Sequence, residues 1–262
     1  MIGRRATPVS IPARATAGGI TWISRGSKGV DREDAFKLAN RDRHIFAALM
    51  LAHGHGDGLV TGATRKNAPV LAQIGHVFDV RPQDGAVGIT AVLHRGRIVL
   101  IGDTLVHEWP EPEDLADIAA RGAAVARNLG LEPRVAFLSF SNFGYPVSER
   151  AIKMAQAATV LDRRGADFEY EGEMTVDVAL NMDAAARYPF SRLTAPANVL
   201  VVPARHSASI SVKLMQEMAG ATVIGPILTG VARPIQICST NSTVSDILNM
   251  AAIAAGGVGA QG

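Results

Sequence analysis

Cysteine is nearly absent from this chain: Cys238 is the only one in 262 residues. A single thiol can form neither an internal disulfide nor a cysteine-based zinc cluster, which suits a reducing, cytoplasmic compartment. Aromatic residues are scarce at 5%, and the formal net charge is only +2. No basic stripe interleaved with aromatics runs along the chain, so no nucleic-acid partner is implied. No apolar run reaches the roughly 18 residues of a membrane span, so no membrane partner is implied either. What is plentiful is apolar side chain, 48% of the total. That is enough to bury a core, and the length suits one large domain or two small lobes.

Acidic residues are missing from the start. Arg4, Arg5, Arg14, Arg25 and Lys28 all precede the first acid, Asp31. Such a lead has the composition of a transit peptide, but no convincing amphipathic helix accompanies it. Residues 1–28 are therefore expected to be a disordered leader.

Periodicity predicts a helix over 31–51, a Gly-punctuated turn over 53–58, a short buried strand over 58–62 and a helix over 68–74. Strands over 88–93 and 98–102 flank His94-Arg95-Gly96-Arg97 and predict an antiparallel hairpin. The helix predicted over 110–130 opens with Pro112, Glu113 and Asp114 and stops at Gly130. Strands over 134–140, 168–171, 198–202, 222–227 and 235–237 then alternate with helices over 147–161, 176–186, 209–218 and 246–255. The pattern predicts an α/β fold, a three-layer α/β/α arrangement with mostly parallel sheets. A boundary near Pro133 would give two lobes around a cleft, residues 29–132 with 229–262 forming the first and 133–228 the second.

Four segments carry candidate chemistry. After the strand at Ile235 and Ile237 come Cys238-Ser239-Thr240-Asn241-Ser242-Thr243 and a helix. The strand–turn–helix junction is where α/β proteins bind ligands, and the free N–H groups there favour an anion. Asp246 is either a base facing that cleft or the third helical residue of a capping box opened by Thr243, worth about 1 kcal/mol. Ser139, Ser141 and Asn142 close another strand and either bind a ligand or simply turn the chain. Arg205-His206-Ser207-Ala208-Ser209 follows a third strand. Without a G-x-S-x-G elbow it reads as a phosphate-cradling turn or a helix cap rather than a hydrolase site. Glu173 and Asp177 could bring two carboxylates into the cleft or lie solvated. His53, His55 and Asp57 lack further ligands at metal spacing, so no metal is expected.

Taken in order, these segments resemble the phosphotransacetylases, which exchange acetyl groups between coenzyme A and phosphate. The match runs through Gly56 to Ala63, Glu132 to Ser141, Gly172 to Ala179, Asn198 to Pro203 with Lys213-Leu214, Gly220 to Pro226, and Pro234, Ser239 and Asp246. A narrower resemblance links residues 141–144, 168–174, 188–193 and 206–211 to the C-terminal domain of bacterial hybrid NADP-dependent malic enzymes. That resemblance implies acetyl-CoA as an allosteric ligand, a malic enzyme catalytic domain as partner and assembly as a homo-oligomer. The family's opening strands have no counterpart in residues 1–28, so the first lobe is expected to be incomplete.

By the family pattern Ser239 would contact the thioester oxygen and Asp246 would take the thiol proton. Ser139, Ser141, Asn142, Ser207, Ser209 and Asn241 would contact the acyl-CoA. Two departures bear on activity. Thr240 stands where the motif has an arginine, and a second family arginine falls at about Ala72. Losing one such donor typically costs about 100- to 1,000-fold in rate. Threonine carries no charge to replace it. Tyr145, where serine is usual, is expected to narrow the cleft. The resemblance thus implies an acetyl-CoA sensor with little transferase activity and a vestigial Ser239–Asp246 pair. The alternatives are an active phosphate acetyltransferase, with Arg65, Lys66 and Arg205 as replacement cations, and an oligomerisation module without ligand.

Overall fold

The computed structural model describes residues 32–258 apart from 82 and 84, so the expected leader lies outside the described residues. The predicted first helix is two: α1 (Arg32–Arg41) and α2 (Arg43–Ala52). Asp42 divides them, because its carboxylate accepts the N–H groups of His44 at 2.8 Å and Ile45 at 3.3 Å and so caps α2. A side chain that satisfies free N–H groups starts a helix afresh even where the apolar spacing continues. Next come β1 (Leu59–Gly62) and α3 (Asn67–Ile74). β1 pairs in parallel with a strand from the far end of the chain, β8 (Ile235–Cys238). Ile235 and Ile237 pack with Ile45, Leu49, Val70 and Ile74 in one small core.

The larger unit is a six-stranded sheet. Its strands are β2 (Val87–His94), β3 (Arg97–Gly102), β4 (Arg134–Leu138), β5 (Glu169–Met174), β6 (Val199–Val201) and β7 (Thr222–Thr229), in the order β5-β4-β6-β3-β2-β7. β2 and β3 form the predicted antiparallel hairpin, and β7 runs antiparallel to β2. The pairs β3–β6, β6–β4 and β4–β5 are parallel. The sheet crosses the boundary expected at residue 133, with β2 and β3 before it and the other four strands after it.

Both faces are covered, which is why these strands read as continuous apolar runs. Val135, Phe137, Val199 and Val201 share a core with α4 (Pro112–Asn128) and α5 (Glu149–Arg164). Ala136, Leu138, Leu200 and Val202 point the other way, toward α6 (Val176–Leu180) and α8 (Arg205–Ala219). The three-layer α/β/α expectation is thus met. The predicted helix over 176–186 stops at Asn181, whose side chain caps the next short helix, α7 (Met182–Ala185), by accepting from Asp183 N at 2.9 Å.

Two buried amides fix what the site needs. Asn198 accepts from Arg134 N at 2.8 Å and donates to Glu132 O at 2.7 Å, which sets β6 against β4. Gln236 accepts from Leu228 N at 3.0 Å and donates to Leu228 O at 3.1 Å. That clamp ties β8, in the small unit, to β7, in the large sheet. The last helix, α9 (Val244–Val258), follows β8.

Candidate functional site

A cavity of about 310 Å³ separates α3 of the small unit from α8 and β7 of the large one. Its wall includes Asn67 and Ala68 from α3, Thr90, Thr104, and Arg205, Ser209, Lys213 and Gln216 from α8. The α8 residues recur at about one-turn spacing, so they form one helical face. Arg205 is held in place: it donates to Leu105 O at 3.2 Å, and its other nitrogen lies 3.5 Å from Glu108. The Leu105 carbonyl is positioned in turn by buried Asp103, which accepts backbone N–H groups from Gly88, Leu105, Val106 and His107. Asn67 Oδ1 is buried with no partner among the described residues. The wall therefore offers two cationic side chains, Arg205 and Lys213, to an anion.

Ser239 and Asp246 stand at the C-terminal end of the β1–β8 pair. Gly62 makes that close pairing possible, since its φ is 105° and a Cβ there would collide with the Cys238 carbonyl. Ser239 is half-buried and its hydroxyl lies 3.3 Å from that of Ser242. Thr240 and Asn241 are exposed. Asp246 accepts from Thr243 N at 2.7 Å and Thr243 Oγ at 2.9 Å, and its own N–H donates to Thr243 Oγ at 3.2 Å. This is the reciprocal capping box, and it starts α9 at Val244, two residues before the predicted start. Burial pushes the Cys238 thiol above its usual range, and the nearby Asp246 carboxylate pushes it the same way. None of Ser239, Asn241 and Asp246 lines the 310 Å³ cavity.

The other expected ligand contacts divide. Ser209 lines the cavity, whereas Ser207, half-buried on the same helix, does not. Ser141 is fully buried, and its hydroxyl reaches Ser139 Oγ at 3.1 Å and Glu173 Oε1 at 3.0 Å. Asn142 accepts from Thr175 N at 2.8 Å and Thr175 Oγ at 3.1 Å. Ser139, Ser141 and Asn142 are thus brought together, around Glu173 and away from the cavity. Glu173 is buried and also accepts Gly144 N at 2.7 Å, while Asp177 is exposed beside Arg187. The two carboxylates therefore do not meet in the cleft. The Thr175 side chain beside it, with the N–H groups of the α6 start and Arg187, holds the Asp177 carboxyl below the usual range against opposing desolvation.

The remaining residues singled out from the sequence lie off this cavity. Tyr145 is 82% exposed and does not line the cavity. Ala72 is exposed and also off its wall; Ala68, one turn earlier on α3, is the alanine that lines it. Arg65 is engaged by Asp42 at 2.6 Å. Lys66 is exposed at the start of α3. Among the described residues, no three His, Cys, Asp or Glu side chains lie close enough to hold a metal ion. No helix among them is long and apolar enough to cross a membrane.

Sequence reasoning missed Asn67, Thr90, Thr104, Lys213 and Gln216 as cavity residues. For Lys213 and Gln216 the signal was available, as a polar stripe continuing from Arg205 and Ser209 along one helix. For Asn67, Thr90 and Thr104 there was none, because β2 and α3 meet α8 only through the tertiary fold.

Known proteins converge on one family. The model for phosphate acetyl/butaryl transferase matches residues 15–255. An NADP-dependent malic enzyme of Rhizobium meliloti is 50% identical over 228 residues, 87% of this chain and 30% of that protein. The chain thus spans about a third of the length of such malic enzyme relatives. A phosphate acetyltransferase of Clostridium acetobutylicum is 34% identical over 238 residues, 87% of this chain and 71% of its own length. Among solved structures, the EutD phosphotransacetylase of Staphylococcus aureus superposes with a TM-score of 0.80 at 26% identity, covering 94% of this chain and 77% of that one. By sequence and by fold, the chain belongs to the phosphate acetyl/butaryl transferase family.

Proposed function

We propose that this chain is the phosphotransacetylase-like domain of an NADP-dependent malic enzyme, that it binds acetyl-CoA as a regulatory ligand, and that it has little or no transferase activity. The malic enzyme catalytic domain is its partner, the assembly is a homo-oligomer and the setting is cytoplasmic. The observation that carries the reading is the neutral, exposed Thr240 beside Ser239, with Asp246 already engaged by Thr243. The candidate replacement cations do not stand at Ser239: Arg65 is engaged by Asp42, and Arg205, held by Leu105 O and Glu108, lines a cavity that Ser239 does not. The similarity to the malic enzyme of Rhizobium meliloti supports the partner. The cavity, with its cationic stripe, suits a diphosphate.

Calorimetry with acetyl-CoA, run beside a phosphate-dependent CoA-release assay, tests this. The expected result is saturable binding with turnover at least about 100-fold below that of an active relative such as the C. acetobutylicum enzyme. Brisk CoA release would overturn it. Lys213 favours a second reading, an active phosphate acetyltransferase, because it adds to Arg205 a cation whose loss an active enzyme would feel. In that case Lys213→Ala would lower turnover about 100-fold.

A further inference from the structure

On the opposite side of α8, over the α6 face of the large sheet, lies a second cavity of about 340 Å³. It shares no lining residue with the first cavity, so it is a distinct site and does not rest on the function proposed above. Its floor is the sheet itself: Val92, Val99, Ile101, Leu138, Leu200 and Val202. In a three-layer fold such side chains are normally covered by a helix. Here α6 and α8 cover that face, and the hollow lies between them above side chains that are themselves buried. The volume lies within the roughly 300–1,000 Å³ of small-molecule sites. A floor without polar atoms cannot hold ordered water, which needs about 2–4 polar partners.

The polar groups on the wall are unevenly placed. Two of them, His94 and Arg97, are cross-strand partners in the β2–β3 hairpin and so stand together at one end. The third is Ser211 on α8, and no carboxylate lines the space. Arg97 is exposed, and among the described residues its one hydrogen-bond contact is a long one, 3.5 Å to Leu180 O at the end of α6. That contact is at the limit of a hydrogen bond and is easily exchanged for a better acceptor. A hydrocarbon interior with a guanidinium at one end fits an amphipathic anion.

We propose that this cavity binds a medium-chain monocarboxylate, the chain lying over Val99, Ile101, Leu200 and Val202 and the carboxylate meeting Arg97. Titration calorimetry of the whole chain with decanoate, kept below its micelle concentration, is the test. Decanoate should bind saturably at one site per chain. Octanoate should bind about fifteenfold more weakly, for two methylenes less of burial. Decanol and the Arg97→Gln variant with decanoate should each lose at least about tenfold, for a missing charge-assisted hydrogen bond. Val99→Trp, which fills the space from the half-buried edge of the floor, should abolish binding; if that variant fails to fold, Arg97→Gln and decanol still decide. Absence of saturable decanoate binding would overturn the proposal, as would equal affinity for decanol and decanoate or an unchanged Arg97→Gln variant. A dimer that Leu214→Glu splits, in a protein that ignores decanoate, would show that the hollow receives a second copy instead.

Discussion

Asp103→Asn is the most direct test of how the cleft is held in shape. Asp103 is almost fully buried, and its two oxygens receive five N–H groups. Oδ1 accepts Gly88 N at 3.0 Å, Leu105 N at 2.6 Å and Val106 N at 3.1 Å. Oδ2 accepts His107 N at 2.9 Å and stands 2.7 Å from His107 Nδ1. Asparagine can keep its oxygen on the Oδ1 side. Its amide then points donors at the His107 N–H, and at Nδ1 unless the imidazole carries its proton on Nε2. The charge that strengthened every remaining contact is also gone. Bonds to a charged group contribute about 1.5–3 kcal/mol each, and a buried unmatched donor costs about 1–3 kcal/mol. With the imidazole free to change tautomer, the expected loss is about 3–5 kcal/mol. Urea unfolding followed by circular dichroism would measure it as a lower midpoint at unchanged slope. Because Leu105 O anchors Arg205, ligand affinity in the cleft should fall as well. A loss under about 1 kcal/mol would refute the reasoning, since it would mean that the carboxylate contributes no more than an amide in the same place.

Thr240→Arg should raise phosphate-dependent CoA release about 100- to 1,000-fold, since Thr240 is exposed and has room for the longer side chain; an unchanged rate in the same assay would show that the clamp is not what limits activity. Asp246→Ala removes the capping box and should cost about 1 kcal/mol, read as a melting shift of about 2–4 °C, while Asp246→Asn should cost less. Burial holds the His44 pKa below its ordinary value, with Asp42 opposing and Arg65 and Arg43 assisting. The unfolded chain therefore binds the proton first, so stability is fully present above about pH 6.5 and lost as pH falls toward the lower native value. Unfolding midpoints measured from pH 7.5 to 5 should show that slope, and His44→Gln should flatten it.

The strand and helix order was legible in the sequence because each strand of a doubly covered sheet must be apolar on both faces. Val135 to Leu138 and Val199 to Val202 could hardly read otherwise. Expectation and structure part where one polar side chain outweighs a continuing pattern. Asp42 and Asn181 each cut a predicted helix in two by capping the next one. Ser141 looked like a ligand contact because a small hydroxyl after a strand often is one. Only the fold brings Glu173, 32 residues away, into contact with that hydroxyl and commits it to the loop. Ser207 and Ser209 were indistinguishable by type, and their positions around α8 put only Ser209 on the cavity wall.

By itself the sequence determined the α/β class, the hairpin, the family and the neutral residue beside Ser239, because periodicity, turn chemistry and motif spacing are local properties of the chain. The tertiary structure decided which polar groups share a space. Asn67, Thr104 and Lys213 face one cavity, while Glu173 turns inward and Asp246 caps a helix. The direction of a side chain depends on which elements pack against it, and those elements lie far apart along the chain.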